Sequence, residues 1–465
     1  MGGLFGIFSN SDCVQDVFYG TDYHSHLGTK RGGMAIKNAG GFQRFIKDIT
    51  TSQFRSKFDR DVKKMHGNKG IGVISDYEDQ PLIISSRLGV FAISTVGKIN
   101  NIKELASDAL QNGTHFSEMH GGEINPTEMV ATIISKEKTF EEGIQKVQNM
   151  IDGSCTMLIL TDKGIYAARD KYGRTPLVIG QKQGSYAIAM ESCAFPNLGF
   201  EIVQYMGPGE ILFINEEGVK QVVPPSERLQ ICSFLWVYYG YPASNYEGIN
   251  VETVRYKCGA YLRKEDDIEI DLVAGIPDSG TAHGLGYANE AQISYMRPFV
   301  KYTPTWPRSF MPQEQSIRDT VAKMKLIPIK ELITGKRLLF CEDSIVRGTQ
   351  LRRQVERLFE SGAREVHMRP ACPPLVYGCK FLNFSRSRSE LDLAGRWAIK
   401  ELIGRDLENP AEYTNPDSDN YKAMVNVIRE KLHLTTLKYQ RLENLIKAIG
   451  LPKEKLCTYC WDGVE

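Results

Sequence analysis

The chain has 465 residues, which is too long for one ordinary hydrophobic core and favours two or three domains. Its 57 Lys and Arg residues nearly balance its 56 Asp and Glu residues, so the overall charge argues against a nucleic-acid partner. No apolar run approaches the roughly 18 to 20 residues that a membrane span needs, and we expect a cytoplasmic protein with no membrane partner.

Residues 1–225 are predicted to form one domain of short apolar strands separated by glycine turns. One helix is predicted after Asn125, which suits an N-cap, because Pro126 can take the first helical position and Glu128 can complete a capping box. We expect few other helices in this half, which makes it a candidate α+β sandwich. The predicted strands are 70–75, 89–96, 156–160 and 185–190.

Residues 226–465 are predicted to form a second domain. After Pro224, Pro225 and Ser226 the pattern changes to long helices that alternate with buried strands, the strands lying at 270–276, 337–341 and 365–371. Such alternation is typical of α/β domains with a parallel sheet.

The predicted strand at 337–341 runs into a polar turn and then into an amphipathic helix. Hydroxyl groups, a glycine and a helix N-terminus can hold a 5′-phosphate. The two adjacent carboxylates can bind ribose hydroxyls or the Mg²⁺ that accompanies a pyrophosphate ligand. The simpler interpretation of two carboxylates after a strand is a solvated strand end. The turn consists of Glu342, Asp343, Ser344, Ile345, Val346, Arg347, Gly348 and Thr349, and the apolar helix positions are Leu351, Val355, Leu358 and Phe359.

These eight turn residues closely resemble the phosphoribosyl pyrophosphate (PRPP) motif of type I phosphoribosyltransferases, in particular the amidophosphoribosyltransferase family. Residues 274–280, followed by 286–288, are similar to the family's pyrophosphate loop and the helix after it. The resemblance implies that Asp278, Ser279 and Gly280 also contact PRPP. It further implies that Ser279, with Glu342 and Asp343 of the turn, lies nearest to the Mg²⁺.

Residues 301–325 are similar to the family's flexible lid. The segment is basic and interrupted by proline, so closure over a polyphosphate would give its charges a role. The resemblance implies catalytic roles for Arg308 and Lys325. The alternative is a mobile solvated loop.

Ten cysteines are too few for a disulfide scaffold of this length. Cys457 and Cys460 form a C-x-x-C pair, for which zinc, redox chemistry and chance all compete. The preceding segment, however, resembles the tail of the family's iron–sulfur branch, which implies Cys232 and Cys379 as two further ligands. Four thiolates suit a [4Fe–4S] cluster, and zinc remains the alternative. The other six are expected to be small buried residues: Cys13, Cys155, Cys193, Cys258, Cys341 and Cys372.

The N-terminal half resembles the family's N-terminal-nucleophile (Ntn) glutaminase domain at residues 3–7, 168–170 with Gly173 and Pro176, and 208–211, which implies an αββα sandwich. The reactive positions differ. The family exposes an N-terminal cysteine where this chain has Gly2, and its oxyanion-hole Asn-Gly pair is here Val96-Gly97. Its substrate-binding Arg is missing near Val73 and its Asp around Pro126. We therefore expect a domain that cannot hydrolyse glutamine.

Three functions remain open. The first is an enzyme that makes phosphoribosylamine from PRPP and ammonia; the second is a transferase for another amine; the third is a non-catalytic regulator that senses PRPP or purine nucleotides and pairs with an active homologue. Metal ligands, a phosphate loop and a lid together favour an enzyme. The resemblance also implies a homo-oligomer that purine nucleotides can inhibit.

Overall fold

The structure is a computed structural model that describes residues 2–120, 122–302, 326–383 and 390–465. Arg308, Lys325 and nearly all of the predicted lid lie outside these residues. Among the described residues, no helix is long and apolar enough to cross a membrane. The cytoplasmic location stays a prediction.

The N-terminal half is built from two antiparallel sheets. Its strands are β1 (Gly3–Ser9), β2 (Arg31–Asn38), β3 (Gly41–Asp48), β4 (Lys69–Ser75), β5 (Leu82–Ser86), β6 (Gly89–Ile99), β7 (Met119–His120), β8 (Glu123–Ile124), β9 (Gly153–Leu160), β10 (Ile165–Ala168), β11 (Val178–Lys182), β12 (Ser185–Ala189), β13 (Glu201–Tyr205), β14 (Ile211–Asn215) and β15 (Gly218–Val223). One sheet has the order β13-β11-β12-β1-β4-β2-β3, and the other has the order β15-β14-β10-β9-β6-β5.

Helices cover the outer face of each sheet. They are α1 (Val14–Asp22), α2 (Phe54–Val62), α3 (Ile102–Gln111), α4 (Pro126–Ser135), α5 (Phe140–Met150) and α6 (Ala194–Leu198). Alternation along β1 shows the layering: Leu4 and Phe8 pack between the sheets, whereas Phe5 and Ile7 pack against α1 and α2. The predicted αββα sandwich is therefore confirmed.

Two predictions about the helices of this half were wrong. In the described residues the half has six helices, α1 to α6, rather than few; they are short, which weakens their periodic signal. At α4, Asn125 does cap the helix by accepting the N–H of Thr127. Glu128, however, accepts the N–H groups of Ser117 and Glu118, so it holds the preceding loop and not a capping box.

The C-terminal half contains a parallel sheet, as predicted. Its strands are β16 (Ile231–Cys232), β17 (Asn245–Tyr246), β18 (Ile249–Asn250), β19 (Leu272–Gly275), β20 (Phe299–Lys301), β21 (Leu326–Pro328), β22 (Arg337–Glu342), β23 (Glu365–Pro370), β24 (Thr436–Leu437) and β25 (Leu456–Cys457). Its helices are α7 (Val251–Lys264), α8 (Thr281–Ala291), α9 (Lys330–Ile333), α10 (Thr349–Glu360), α11 (Ala394–Ile403), α12 (Asp419–Lys431), α13 (Leu442–Ile449) and α14 (Tyr459–Asp462). The sheet order is β19-β22-β23-β24, with every neighbouring pair parallel.

Both faces of this sheet are covered. Along β22, Leu338 and Phe340 belong to one cluster of buried residues, while Leu339 and Cys341 belong to another on the opposite face. Burial on both faces explains why the strand is a continuous apolar run. Helix α10 buries Val355 and Leu358, but Phe359 is exposed, which corrects its assignment to the apolar face.

The two halves share one cluster of buried residues, which extends from Leu4 between the sandwich sheets to Trp461 near the C-terminus. Polar contacts join them as well. The hydroxyl of Tyr246 donates to Glu191 at 2.7 Å, and the buried guanidinium of Arg169 lies 2.8 Å from the carboxylate of Glu247. The domain boundary at 225/226 stays a prediction, because the packing is continuous across it.

Candidate active site and four-cysteine cavity

Two parallel strands bring the predicted PRPP residues to one edge of the sheet. Strands β19 and β22 lie in register, with Gly275 opposite Cys341, so their carboxyl ends meet there. The hydroxyl of Ser279 donates to Glu342 Oε1 at 3.2 Å. Asp343, the next residue, is buried. Ligands of open α/β sheets bind at this edge, so the geometry suits a binding site.

The carboxylates at this edge form an acidic pair. Burial raises the pKa of Glu342 well above its ordinary value, and the charge of Asp343 raises it further. A bound cation would relieve this repulsion, and the oxygen donors of Ser279, Glu342 and Asp343 are of the type that Mg²⁺ binds. Among the described residues, no three His, Cys, Asp or Glu side chains converge on one ion. The remaining ligands would come from phosphate and water, as is usual for Mg²⁺.

The backbone of the turn after β22 has a geometry that suits a phosphate group. Gly348 lies immediately before α10 with φ of +79°, and a Cβ there would lie 3.0 Å from Leu432 Cδ2. Only glycine suits this position, and it leaves the first N–H groups of α10 free of a side-chain cap. The side chains of Ile345 and Val346 pack into the protein, so these two residues can offer a ligand only their backbone. Arg347 pairs with Asp392 at 3.1 Å.

The predicted pyrophosphate loop follows β19 and packs tightly on β22. A Cβ on Gly280 would lie 2.2 Å from the carbonyl oxygen of Cys341, so this approach excludes any side chain. The Pro277–Asp278 peptide bond is cis. Asp278 is exposed and pairs with Lys301 at 2.5 Å, which places the first residue of the predicted lid beside the loop.

The structure brings the four predicted cluster cysteines around one cavity. Strand β16 pairs in parallel with β25, which sets Cys232 opposite Cys457. Cys460 is tied to the loop before Cys379, because its carbonyl oxygen accepts the N–H groups of Val376 and Tyr377. The cavity is lined by Cys232, Cys379, Cys457 and Cys460 with Arg174, Phe234, Phe381, Leu382 and Trp461. The other six cysteines are all buried, as expected.

The donor set of this cavity fits a thiolate-bound metal group. A hydrogen bond with Cys460 lowers the pKa of Cys379 to about 7, and the N–H of Leu382 donates to Cys379 Sγ at 3.3 Å. Burial raises the pKa of Cys457 to about 11 and raises the pKa of Cys232 well above its ordinary value. Bound metal would stabilise all of these sulfurs as thiolates. Within the described ranges the sulfurs do not converge on a single ion position, whereas in a cubane cluster each thiolate binds a different iron.

Gly2 and Val96, which correspond to the nucleophile and the oxyanion donor of the glutaminase centre, lie together, but neither has a polar side chain. A Cβ on Gly2 would lie 3.1 Å from Val96 Cγ2 and 2.5 Å from the carbonyl oxygen of Ile74. Val73 is buried in the core between the sheets. Before α4, the side chain of Asn125 caps that helix and donates to the carbonyl oxygen of Asp79. The described residues here offer no nucleophile beside a side-chain oxyanion donor.

Sequence reasoning missed the contacts between the sandwich and the cysteine cavity. Arg174 Nη1 donates to Cys457 Sγ at 3.1 Å, Lys98 Nζ donates to the carbonyl oxygen of Cys379 at 2.8 Å, and Ser154 Oγ donates to that of Phe381 at 2.6 Å. These residues belong to no motif. Their contacts with the cysteine cavity could have been predicted only by knowing which segments of the chain pack together.

The αββα sandwich, the phosphate loop on a parallel sheet and the adjoining carboxylates define a class of protein: a phosphoribosyltransferase joined to a glutaminase-like domain. Comparison with known proteins agrees with this class. A family model described as a glutamine amidotransferase domain matches residues 69–197. The amidophosphoribosyltransferase of Bacillus subtilis (strain 168) is 30% identical, over 99% of this chain and 93% of its own. That of Archaeoglobus fulgidus is 31% identical, over 84% of this chain and 86% of its own.

Solved structures extend the similarity to the whole architecture. The B. subtilis glutamine PRPP amidotransferase, complexed with ADP and GMP, is 28% identical and superimposes with a TM-score of 0.85, covering 99% of this chain and 96% of that one. A structure described as the allosteric regulatory enzyme of purine biosynthesis gives a TM-score of 0.84 at 27% identity, covering 99% and 95%. The chain therefore belongs to the amidophosphoribosyltransferase family, whose members are phosphoribosyltransferase enzymes.

Proposed function

We propose that this chain binds Mg–PRPP and transfers ammonia to it, which gives 5-phosphoribosylamine and pyrophosphate in purine biosynthesis. The bond from ribose C1 to the pyrophosphate oxygen breaks, a bond from C1 to nitrogen forms, and a proton of ammonia passes to solvent. The observation that carries the proposal is the meeting of Ser279, Glu342 and Asp343 at the carboxyl edge of the sheet, beside the phosphate-binding turn.

Each part of the site has a role in this reaction. The free N–H groups at the start of α10 hold the 5′-phosphate, and the carboxylates of Glu342 and Asp343 bind ribose hydroxyls or the metal. Mg²⁺ bound there would neutralise charge on the departing pyrophosphate. The loop at Asp278, Ser279 and Gly280 offers backbone groups to the pyrophosphate. Arg308 and Lys325 stay predicted catalytic residues.

We further propose that the chain has no glutaminase activity of its own and takes ammonia from solution or from a partner. The nearest atoms to a Cβ at Gly2 support this, because the Val96 side chain and the backbone carbonyl oxygen of Ile74 can donate no hydrogen bond to an oxyanion. An acyl transfer from glutamine needs a nucleophile, a base and donors for the oxyanion.

We also propose that the four-cysteine cavity holds a [4Fe–4S] cluster, with zinc as the less favoured alternative. A cluster there would tie the C-terminal tail, at Cys457 and Cys460, to the start of the domain at Cys232.

Because a relative was solved with ADP and GMP, purine nucleotides are proposed as inhibitors. A homo-oligomer remains a prediction.

Pyrophosphate release tests the reaction. The purified protein is incubated with PRPP and Mg²⁺, and ammonium chloride, glutamine or other amines are offered in turn. Ammonium is expected to support release at a rate that rises with pH, because unprotonated ammonia is the nucleophile. Glutamine is expected to support none. Faster release with another amine would identify a different acceptor, and PRPP binding without release with any amine would favour the regulator.

A further inference from the structure

The sandwich contributes a buried cation to the four-cysteine cavity. Arg174 is 3% exposed, and its Nη1 donates to Cys457 Sγ at 3.1 Å. Its guanidinium carbon lies 3.3 Å from the ring centroid of Phe381, so the charged group is stacked against the loop that carries Cys379. The second terminal nitrogen of the guanidinium, Nη2, donates to Gln230 Oε1 at 3.2 Å. Arg174 thus connects the tail and the loop that supply ligands to the cavity.

Three further side chains of the sandwich hold the Cys379 loop by its carbonyl groups. Lys98 Nζ donates to the carbonyl oxygen of Cys379, Asn100 Nδ2 to that of Lys380 and Ser154 Oγ to that of Phe381, at 2.8, 2.8 and 2.6 Å. These donors lie on or beside β6 and β9, and β6 also carries Val96 and Gly97. The strand that would supply an oxyanion donor in a glutaminase therefore anchors a cysteine loop here.

A guanidinium beside a metal-bound sulfur has two physical effects. Its charge-assisted hydrogen bond stabilises the thiolate against protonation and release. In a low-dielectric cavity, its positive charge also favours the form of a bound metal group that carries more electrons. Outer residues that hydrogen-bond metal ligands typically change metal affinity about 10- to 100-fold.

We propose that the glutaminase-like domain serves as one wall of the four-cysteine centre, with Arg174 as a positioning residue that stabilises the Cys457 thiolate and raises the reduction potential of the bound cluster. This inference rests on the proposed cluster. It gives the sandwich a role that does not depend on glutamine chemistry, because the residues that carry it are Arg174, Lys98 and Ser154.

The test uses the full chain purified without oxygen. Arg174→Gln removes the charge, Arg174→Lys keeps it, and Ser154→Ala removes one loop anchor while leaving Arg174 in place. Arg228→Gln is the matched control, because Arg228 lies over the same Tyr172 ring as Arg174 but is exposed and does not line the cavity. Iron, zinc and sulfide content, the rate of metal release to a chelator, the reduction potential and circular dichroism are measured for each.

Arg174→Gln is expected to release metal about tenfold faster or more and to have a lower potential. Arg174→Lys should retain a potential closer to that of the unmodified protein. Ser154→Ala should release metal faster at an unchanged potential, and Arg228→Gln should match the parent. Parental release rates in folded Arg174→Gln and Ser154→Ala would overturn the inference. If Arg174→Gln does not fold, Arg174→Lys is still expected to release metal faster, because it loses the guanidinium contacts with Cys457 and Phe381. Parental release rates in both Arg174→Lys and Ser154→Ala would then overturn the inference.

The same data separate this inference from the proposed cofactor. Stoichiometric zinc without sulfide in the parent contradicts the cluster, and the release rates of zinc then test Arg174 directly. Iron and sulfide in the parent with no effect of the variants contradicts the role of Arg174 and leaves the cluster standing. A parent without iron, sulfide or zinc overturns both.

Discussion

Gly2 faces the side chain of Val96 across the two sheets, and a Cβ on Gly2 would lie 3.1 Å from Val96 Cγ2 and 2.5 Å from the carbonyl oxygen of Ile74. The second contact is with backbone, which cannot turn away as a flexible side chain can. Position 2 therefore lacks a thiol, and the space that a nucleophilic side chain would occupy there is already filled. The missing thiol and the filled space both support the proposal that this domain has no glutaminase activity.

Gly2→Cys is expected to leave the protein without glutaminase activity. The variant would gain a thiol, but it would still lack the donor replaced by Val96, and loss of one oxyanion donor typically costs about 10² to 10³ in rate. The contact with Ile74 would also displace the start of β1. Glutamate formation from glutamine, measured with PRPP present, is the readout, and ammonia-dependent pyrophosphate release is the control for folding. Glutaminase activity in the unmodified chain would contradict the proposal for this domain.

Asp343→Asn is expected to weaken Mg–PRPP binding about ten- to a hundredfold and to abolish turnover. The change removes one charge of a buried carboxylate pair, and a charge-assisted contact contributes roughly 1.5 to 3 kcal/mol. Calorimetric titration with Mg–PRPP measures the affinity. Asp417→Asn is a suitable control, because Asp417 pairs with Arg441 at 2.6 Å outside the proposed site. Equal affinities of the two variants for Mg–PRPP would show that Asp343 does not belong to the PRPP site.

Protein purified without oxygen is expected to be brown and to contain about four iron and four sulfide per chain. Cys457→Ser should lower both contents and destabilise the fold, because the tail loses its metal anchor. Cys193→Ser provides a control at a buried cysteine that does not line the cavity. Equal iron and sulfide contents in the two variants would show that Cys457 is not a ligand.

The sequence was most informative where a function needs consecutive residues. The turn from Glu342 to Thr349 joins a strand end, a predicted phosphate-binding turn and a helix start in one stretch, and it could be located without a structure. The alternation of long helices with buried strands after residue 226 likewise predicted a parallel sheet.

The cysteine cavity was harder, because the contact of Cys232 with Cys457 depends on the pairing of β16 with β25, which are far apart in the chain. Arg174 and Ser154 could not be assigned at all. Their contacts are made across the two halves, and neither residue lies in a pattern that distinguishes it from an ordinary surface or loop residue. Glu128 shows the opposite error. Its spacing from Asn125 suggested a capping box, but in the folded chain its carboxylate accepts the N–H of Ser117 in the preceding loop.

His24 is expected to make the protein less stable as the pH falls. The ring is fully buried; Nδ1 donates to the carbonyl oxygen of Gly20 at 2.8 Å, and Nε2 accepts the N–H of Glu191 at 3.0 Å. The contact with Glu191 requires the neutral ring, because a protonated Nε2 cannot accept a hydrogen bond, and burial lowers the pKa of His24 from 6.5 to about 4. Burial also lowers the pKa of His283, in the other half, to about 3.

The sign of the effect follows from proton binding. Between about pH 6.5 and 4 the unfolded chain binds a proton at His24 that the folded chain does not, so unfolding takes up protons. The free energy of unfolding therefore decreases as the pH is lowered through this window. The contribution is fully present above that window and lost below it, and the pKa difference corresponds to about 3 kcal/mol. Proton uptake on unfolding near the middle of the window, measured by calorimetry in buffers of different ionisation enthalpy, should fall by about one proton in His24→Gln. His115→Gln, which changes an exposed histidine, is the control. Equal uptake in the two variants would show that His24 is not kept neutral by the fold.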